Sequence, residues 1–142
     1  MFRKPLFLET FILLATVGIL NYFATRYHLY WSTYEFDSLV HFLGGATLSA
    51  FFLWAYFFSG FFDPQKRKLK NFLLVAFLGA MSVAIIWEIY EIFLGEVAVS
   101  GAEYPYDTMM DLIMDFLGIM AFCFYGYMRE YNQKMIIKNQ NE

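Results

Sequence analysis

The sequence predicts an all-α polytopic membrane protein, a four-transmembrane-helix bundle forming one integral domain over residues 1–142. Three observations carry that prediction. The chain is 60% hydrophobic and 23% aromatic with a mean hydropathy of +0.47, too apolar for an ordinary soluble domain. Four apolar stretches are each long enough to cross a hydrocarbon core of about 30 Å, which takes about 20 helical residues. Basic and acidic residues separate along the chain, so the net charge of −3 hides two segregated sets.

The helices are expected at about 5–23, 37–58, 71–94 and 107–128, followed by a short, frayed polar tail over 129–142. Pro5 suits a helix start and Gly95 a stop, and Pro64 in Asp63-Pro64-Gln65 marks the turn between the second and third helices. Arg3 and Lys4 before the first apolar run resemble a signal peptide. The run is long and lacks a small-residue cleavage site, which favours an uncleaved anchor. Tyr27, Tyr30, Trp31 and Tyr34 in the first outer connection suit the headgroup zone, and His28 among them reads as a surface histidine. The second outer connection, with Glu96, Glu103, Tyr104 and Tyr106, is either a small lid or an ordinary loop. Cys123 is the single cysteine, so no internal disulfide forms.

Basic residues orient the bundle. Arg3, Lys4, Lys66, Arg67, Lys68, Lys70, Arg129, Lys134 and Lys138 fall on one side if four segments span, against Arg26 alone on the other. The positive-inside rule then places both termini and the middle connection in the cytoplasm.

Acids concentrate at the opposite, outer side. Asp37 and His41 stack four apart on the second helix. Glu88 and Glu91 share a face of the third. Asp107, Asp111 and Asp115 form a ladder on the fourth. At 1.5 Å per residue, Glu88 stands about 26 Å above Asn71, His41 about 6 Å below Asp37 and Asp115 about 12 Å below Asp107. Alternating connections bring all three groups to one depth. Gly44, Gly45 and Gly118 beneath them permit close helix contact.

Nine acids in this outer half face only Arg26 and two histidines. A single acid at a helix centre costs about 2.5–3.5 kcal/mol to insert. Either the carboxylates hold protons, or a divalent metal ion neutralises them. Carboxylate oxygens with one imidazole suit Mg²⁺, Mn²⁺ or Zn²⁺ and accommodate Ca²⁺. Asp37, His41, Glu88 and Asp111 are the candidate metal ligands, with Glu91 or Asp115 as base or supporting group. Blander roles compete. Asp37 and Asp107 sit where N-caps belong, His41 can be a core histidine, and Glu88 and Glu91 can bond helices together. Glu9 reads as a snorkelling residue, and Trp54, Trp87 and Tyr90 as packing or interface residues.

Asp37-Ser-Leu-Val-His41-Phe-Leu-Gly44, Trp87-Glu88-Ile-Tyr-Glu91 and Asp107-Thr-Met-Met-Asp111, with Gly118, together resemble the YjdF-like inner-membrane proteins. The likeness covers the last three helices. A more distant likeness to VanZ-like membrane proteins lies in the Asp/His helix start and the Asp-rich last helix. The resemblance implies a membrane bundle with these acids in its site and supplies no reaction. Asp111 and Asp115 also match the end of the CDP-alcohol phosphotransferase motif, but its Asp-Gly-x-x-Ala-Arg start is missing. No Gly-rich phosphate loop, Ser-His-Asp set or His-Glu-x-x-His motif occurs, and there is no basic nucleic-acid face.

The leading functional expectation is an outward-facing metal site in the lipid bilayer, supporting hydrolysis or transfer on a lipid-linked or phosphorylated head group. The alternatives are a cation- or proton-coupled transporter component and a non-catalytic accessory protein. The inner halves of the helices carry only Glu9 and scattered residues such as Thr47 and Ser49, which favours a one-sided site over a through-path.

Overall fold

The computed structural model describes residues 6–62, 64, 67–94 and 104–140. Helix α1 spans Phe7–Tyr27, the short α2 Leu29–Ser32, α3 Tyr34–Leu53, α4 Leu69–Leu94 and α5 Tyr104–Gln140, and α3 runs into a π-helical turn at Trp54–Phe58. Four segments are long and apolar enough to span: Phe7–Tyr27, Phe36–Phe58, Leu69–Phe93 and Pro105–Gln140. The all-α, four-span membrane architecture is thus as the sequence predicts. The expectations placed on Arg3, Lys4, Pro5, Asp63, Gln65, Lys66, Gly95 and the connection over 96–103, including Glu96 and Glu103, lie outside the described residues.

The connection between the first two spans is largely helical. α1 stops at His28, which adopts a left-handed φ of 56° and returns its N–H to the Ala24 carbonyl. One turn of α2 follows, then Thr33 is extended at φ −139° and serves as the N-cap position of α3. The N-cap reading of Asp37 is therefore corrected: it lies on the first turns of α3. Asp107 likewise falls inside the first turn of α5, where its charge complements the helix dipole.

The frayed tail is also corrected. α5 continues as helix to Gln140, past the expected end at Met128. Ion pairs accompany it, two of them between distant segments. Glu130 is buried and accepts from Arg67 at 3.1 Å and from Lys134 at 3.1 Å, and Arg129 pairs with Glu9. Thirty-seven residues make a rod of about 55 Å, so α5 must extend beyond a core of about 30 Å.

α3 and α5 form the central pair, with α4 packed on both and α1 resting mainly on α3. Glycine sets the close approach. A Cβ at Gly45 would collide with the Asp115 carbonyl, and one at Gly118 with the Phe42 carbonyl. Side chains cannot intervene, so the backbones meet directly. One turn further along, the Ser49 hydroxyl donates to the Ile119 carbonyl at 3.2 Å. Ala46, Ala50, Leu53, Ile119 and Cys123 continue the buried seam. It ends in an aromatic plug where Phe57 stacks on Phe72 at 4.4 Å between centroids. α1 is mostly exposed, with Thr10 and Ala24 its buried residues.

The π turn leaves the Phe57 carbonyl available, and Arg67 Nη2 donates to it at 3.1 Å. The same guanidinium lies 4.9 Å from the Phe58 ring centroid.

Candidate carboxylate–histidine site

The glycine-mediated crossing fixes what lies one turn above it. On α3, His41 precedes Gly45 by four residues. On α5, Asp111 and Asp115 precede Gly118 along the same side. At Gly44 a Cβ would only touch Asp115 Oδ1 at 3.8 Å, so no bulky side chain stands between the two helices. Glu88 enters from α4.

His41 is the hub. It is 8% exposed, and both ring nitrogens face carboxylates. Nδ1 lies 3.1 Å from Asp115 Oδ2 and 4.0 Å from Glu88 Oε1. Nε2 lies 3.7 Å from Asp37 Oδ1 and 3.9 Å from Asp111 Oδ1. Glu88, Asp111 and Asp115 are buried at 4–5% exposure, whereas the Asp37 side chain is 27% exposed. Two triads have ligand atoms within 4.8 Å of one another: Asp37, His41 and Asp111, and His41, Glu88 and Asp115. Such a group could hold a metal ion.

Five of the six sequence-predicted site residues therefore converge: Asp37, His41, Glu88, Asp111 and Asp115. Glu91 does not join either triad. It is half-buried, and its Oε1 accepts the Trp87 indole N–H at 2.9 Å on the same helix. Asp107 also stays outside both triads.

The electrostatics are one-sided. The arginine and lysine ion pairs, Arg67–Glu130, Arg129–Glu9 and Lys134–Glu130, gather at the far end of α5. At the hub the basic group is one imidazole among four carboxylates. Glu88 Oε1 is fully buried with no hydrogen-bond partner. Thr108 Oγ1 approaches the Glu88 carboxyl without reaching hydrogen-bonding geometry, and is itself buried without a partner. Buried polar atoms left unpaired cost free energy and call for an explanation.

Tyr30 was missed as a neighbour of the site. The sequence reads it as part of an aromatic belt, but it is half-buried and its hydroxyl donates to Asn21 Oδ1 at 2.7 Å. Burial, then the negative charges of Asp37 and Glu91, push its phenol up to about 12. Periodicity could not reveal this, because the extended Thr33 breaks the helical register between Tyr30 and Asp37.

A family profile whose description is "Predicted membrane protein (DUF2238)" matches residues 5–132. No curated protein and no solved structure gives a significant match.

Proposed function

The chain belongs to the DUF2238 family of predicted membrane proteins, the family of the YjdF-like proteins whose motifs it shares, and from that premise we propose a divalent-cation site on the outer side of the membrane that promotes hydrolysis or transfer at a phosphorylated, lipid-linked head group. The observation that carries this reading is the buried hub itself: four carboxylates surround one imidazole, and ligand atoms of Asp37, His41 and Asp111 lie within 4.8 Å of one another.

A neutral imidazole has one N–H and one lone pair. The 3.1 Å separation at Nδ1 suits a hydrogen bond donated to Asp115. That leaves the Nε2 lone pair facing Asp37 and Asp111, at separations too wide for direct hydrogen bonds and open to an intervening ion. We therefore assign the cation to Asp37, His41 and Asp111. Asp115 orients the ring, the usual part of a carboxylate behind a ligating histidine. The partly exposed Asp37 provides the entry path that a metal site needs. A divalent cation held by these residues would supply Lewis-acid polarisation of a phosphoryl oxygen and of water. Glu88, on the Nδ1 side of the ring, would act as general base, taking the water's proton as its oxygen bonds to phosphorus and passing that proton to the alkoxide as the old bond to phosphorus breaks. Glu91, engaged by Trp87, is assigned no step. An anionic substrate beside so many acids requires the cation, which ties the substrate class to the metal.

A transport path finds less support. Below the hub, the Thr47 hydroxyl is spent on the Leu43 carbonyl and Ser49 on Ile119. The fully buried Leu53, Phe72, Ile119 and Cys123 then separate the site from the Arg67–Glu130 end. We place that basic end, with both termini, in the cytoplasm of a cell with the protein in its inner membrane.

Mn²⁺ binding to the purified protein, followed by electron paramagnetic resonance and equilibrium dialysis, tests the assignment. Wild type should bind one ion, and Asp37→Asn and His41→Ala should weaken binding by at least about 10–100-fold. Glu88→Gln should retain the ion. Retention in Asp37→Asn with loss in Glu88→Gln moves the ion to the Nδ1 side. A wild-type protein that binds neither Mn²⁺ nor Mg²⁺, Zn²⁺ or Ca²⁺ removes the reading.

A further inference from the structure

The hub holds more negative charge than one divalent cation offsets. Asp37, Glu88, Asp111 and Asp115 surround a single imidazole. A cation at Nε2, with Asp37 and Asp111, answers two carboxylates and leaves Glu88 and Asp115 on the other side of the ring. Among the described residues no arginine or lysine pairs with either; those ion pairs lie at the far end of α5. Buried charge without a counterion is costly.

A second observation points into the same place. Glu88 is 4% exposed, and its Oε1 is buried without a hydrogen-bond partner, 4.0 Å from His41 Nδ1. Thr108 Oγ1, also buried and unpartnered, stands beside that carboxyl. Asp115 accepts from His41 through Oδ2, which leaves Oδ1 on the side of Gly44, where even an added Cβ would remain 3.8 Å away. Ligand atoms of His41, Glu88 and Asp115 lie within 4.8 Å of one another. With the Nδ1 proton given to Asp115, the donors on this side are oxygens alone. Two carboxylates suit a hard cation that keeps several of its waters, the usual habit of Mg²⁺. Such an ion answers the carboxylate charge, and its waters answer the Thr108 hydroxyl.

Resting on the metal-site reading above, we propose that Glu88 and Asp115 form a second, weaker site for a hydrated, hard divalent cation, and that this site regulates the first. Glu88 serves as base beside the tight ion at Nε2. Once engaged by a second ion, its Oε1 lone pair can accept no proton from water. Divalent cation thus enables the chemistry at low concentration and arrests it at high concentration. The second site is the weaker because it has no imidazole ligand and faces another double positive charge across one ring.

The test titrates the full-length protein, in nanodiscs of uncharged lipid, with Mn²⁺. Equilibrium dialysis counts the ions and electron paramagnetic resonance records their spectra. Wild type should bind one ion, then a second at least about tenfold more weakly. As the second enters, each should broaden the other's signal, because one imidazole ring separates them. Mg²⁺, which gains less from an imidazole, should displace the second ion before the first. Infrared difference spectra should show a carboxylate band shifting at the second step. Glu88→Gln should abolish the second ion, the broadening and that band while the first ion stays, which also shows that the variant folds. Glu88→Asp keeps the charge on a shorter arm and should weaken only the second ion, by about tenfold. Glu91→Gln, outside both triads, should change neither. If Glu88→Gln loses its helix content, Glu88→Asp decides by the same criteria. Wild type that stops at one ion overturns the proposal and spares the metal site, the remaining carboxylates then holding protons. A second ion that survives in Glu88→Gln, leaves the first signal unbroadened or shifts no carboxylate band lies elsewhere and also overturns it. Loss of both ions in a well-folded Glu88→Gln makes Glu88 a ligand of the tight ion and removes the two-site arrangement. Wild type that binds no ion removes both readings together.

Discussion

His41 Nδ1 sits 3.1 Å from Asp115 Oδ2, joining α3 to α5 across 74 positions of sequence. This contact decides which nitrogen of the ring is free. A carboxylate at Asp115 accepts from Nδ1–H and leaves the Nε2 lone pair toward Asp37 and Asp111. An amide there can donate instead, which favours the opposite tautomer and turns an N–H toward those acids. Asp115→Asn is thus expected to weaken Mn²⁺ binding about 10–100-fold, although Asp115 is not a ligand in this assignment. Electron paramagnetic resonance titration measures it, with circular dichroism confirming helix content. Unchanged affinity would remove the orienting role.

The close crossing of α3 and α5 predicts a sharp contrast between glycines. At Gly118 an added Cβ meets the Phe42 carbonyl and the Ala46 backbone, which cannot swing aside as a flexible side chain can. Gly118→Ala should force the helices apart, costing about 1–3 kcal/mol and weakening metal binding with it. At Gly18 on α1 nothing lies within 4 Å of the added atom. Gly18→Ala should leave metal binding alone and change stability by no more than the helix-propensity gain of about 1 kcal/mol. Thermal unfolding in micelles beside Mn²⁺ titration separates the two. Equal behaviour of both variants would mean that the crossing does not position the site.

The spans were legible because hydrocarbon thickness imposes a length that any apolar run either meets or fails. The hub was legible for a related reason: Asp37 with His41, and Asp111 with Asp115, use the four-residue helical spacing. What stayed hidden depends on contacts between distant segments or on single side-chain choices. Glu88 and Glu91 are equivalent by spacing, yet Glu91 accepts the Trp87 N–H while Glu88 Oε1 has no hydrogen-bond partner. Tyr30 reaches the site only because α2 and the extended Thr33 fold the chain back. The helical tail rests partly on Arg67 meeting Glu130 across 63 positions, which no local pattern records.

Tyr30 supplies a pH signature outside the spans. Its phenol is raised from 10.0 to about 12 by burial, then by Asp37 and Glu91. Between these values the folded chain keeps a proton that the unfolded chain has lost. This contribution to stability is therefore complete below about pH 10 and disappears as pH rises toward about 12. Ultraviolet tyrosinate titration of wild type minus Tyr30→Phe should show one residue ionising near pH 12. Asp37→Asn removes one repelling charge and should lower that midpoint while leaving the larger effect of burial. A difference curve centred at the free phenol's value would place Tyr30 in open solvent, away from both acids.

The far end of α5 should be separable from the site. Glu130 lies about 22 Å along the helix from Asp115, by the 1.5 Å rise. Removing its carboxylate in Glu130→Ala leaves Arg67, which also serves the Phe57 carbonyl, without its ion-pair partner. Breaking such a pair costs about 3 kcal/mol, the low end of the range, because the Arg67 side chain remains 29% exposed. Arg67→Lys keeps the charge but cannot fork between Glu130 and Phe57 while lying on the Phe58 ring, so a smaller loss is expected. Neither change touches the hub, and Mn²⁺ affinity should hold in both. Thermal unfolding and metal titration on the same samples decide the matter. A fall in metal affinity matching the fall in stability would show the two ends of the bundle to be coupled through the Leu53–Phe72 core between them.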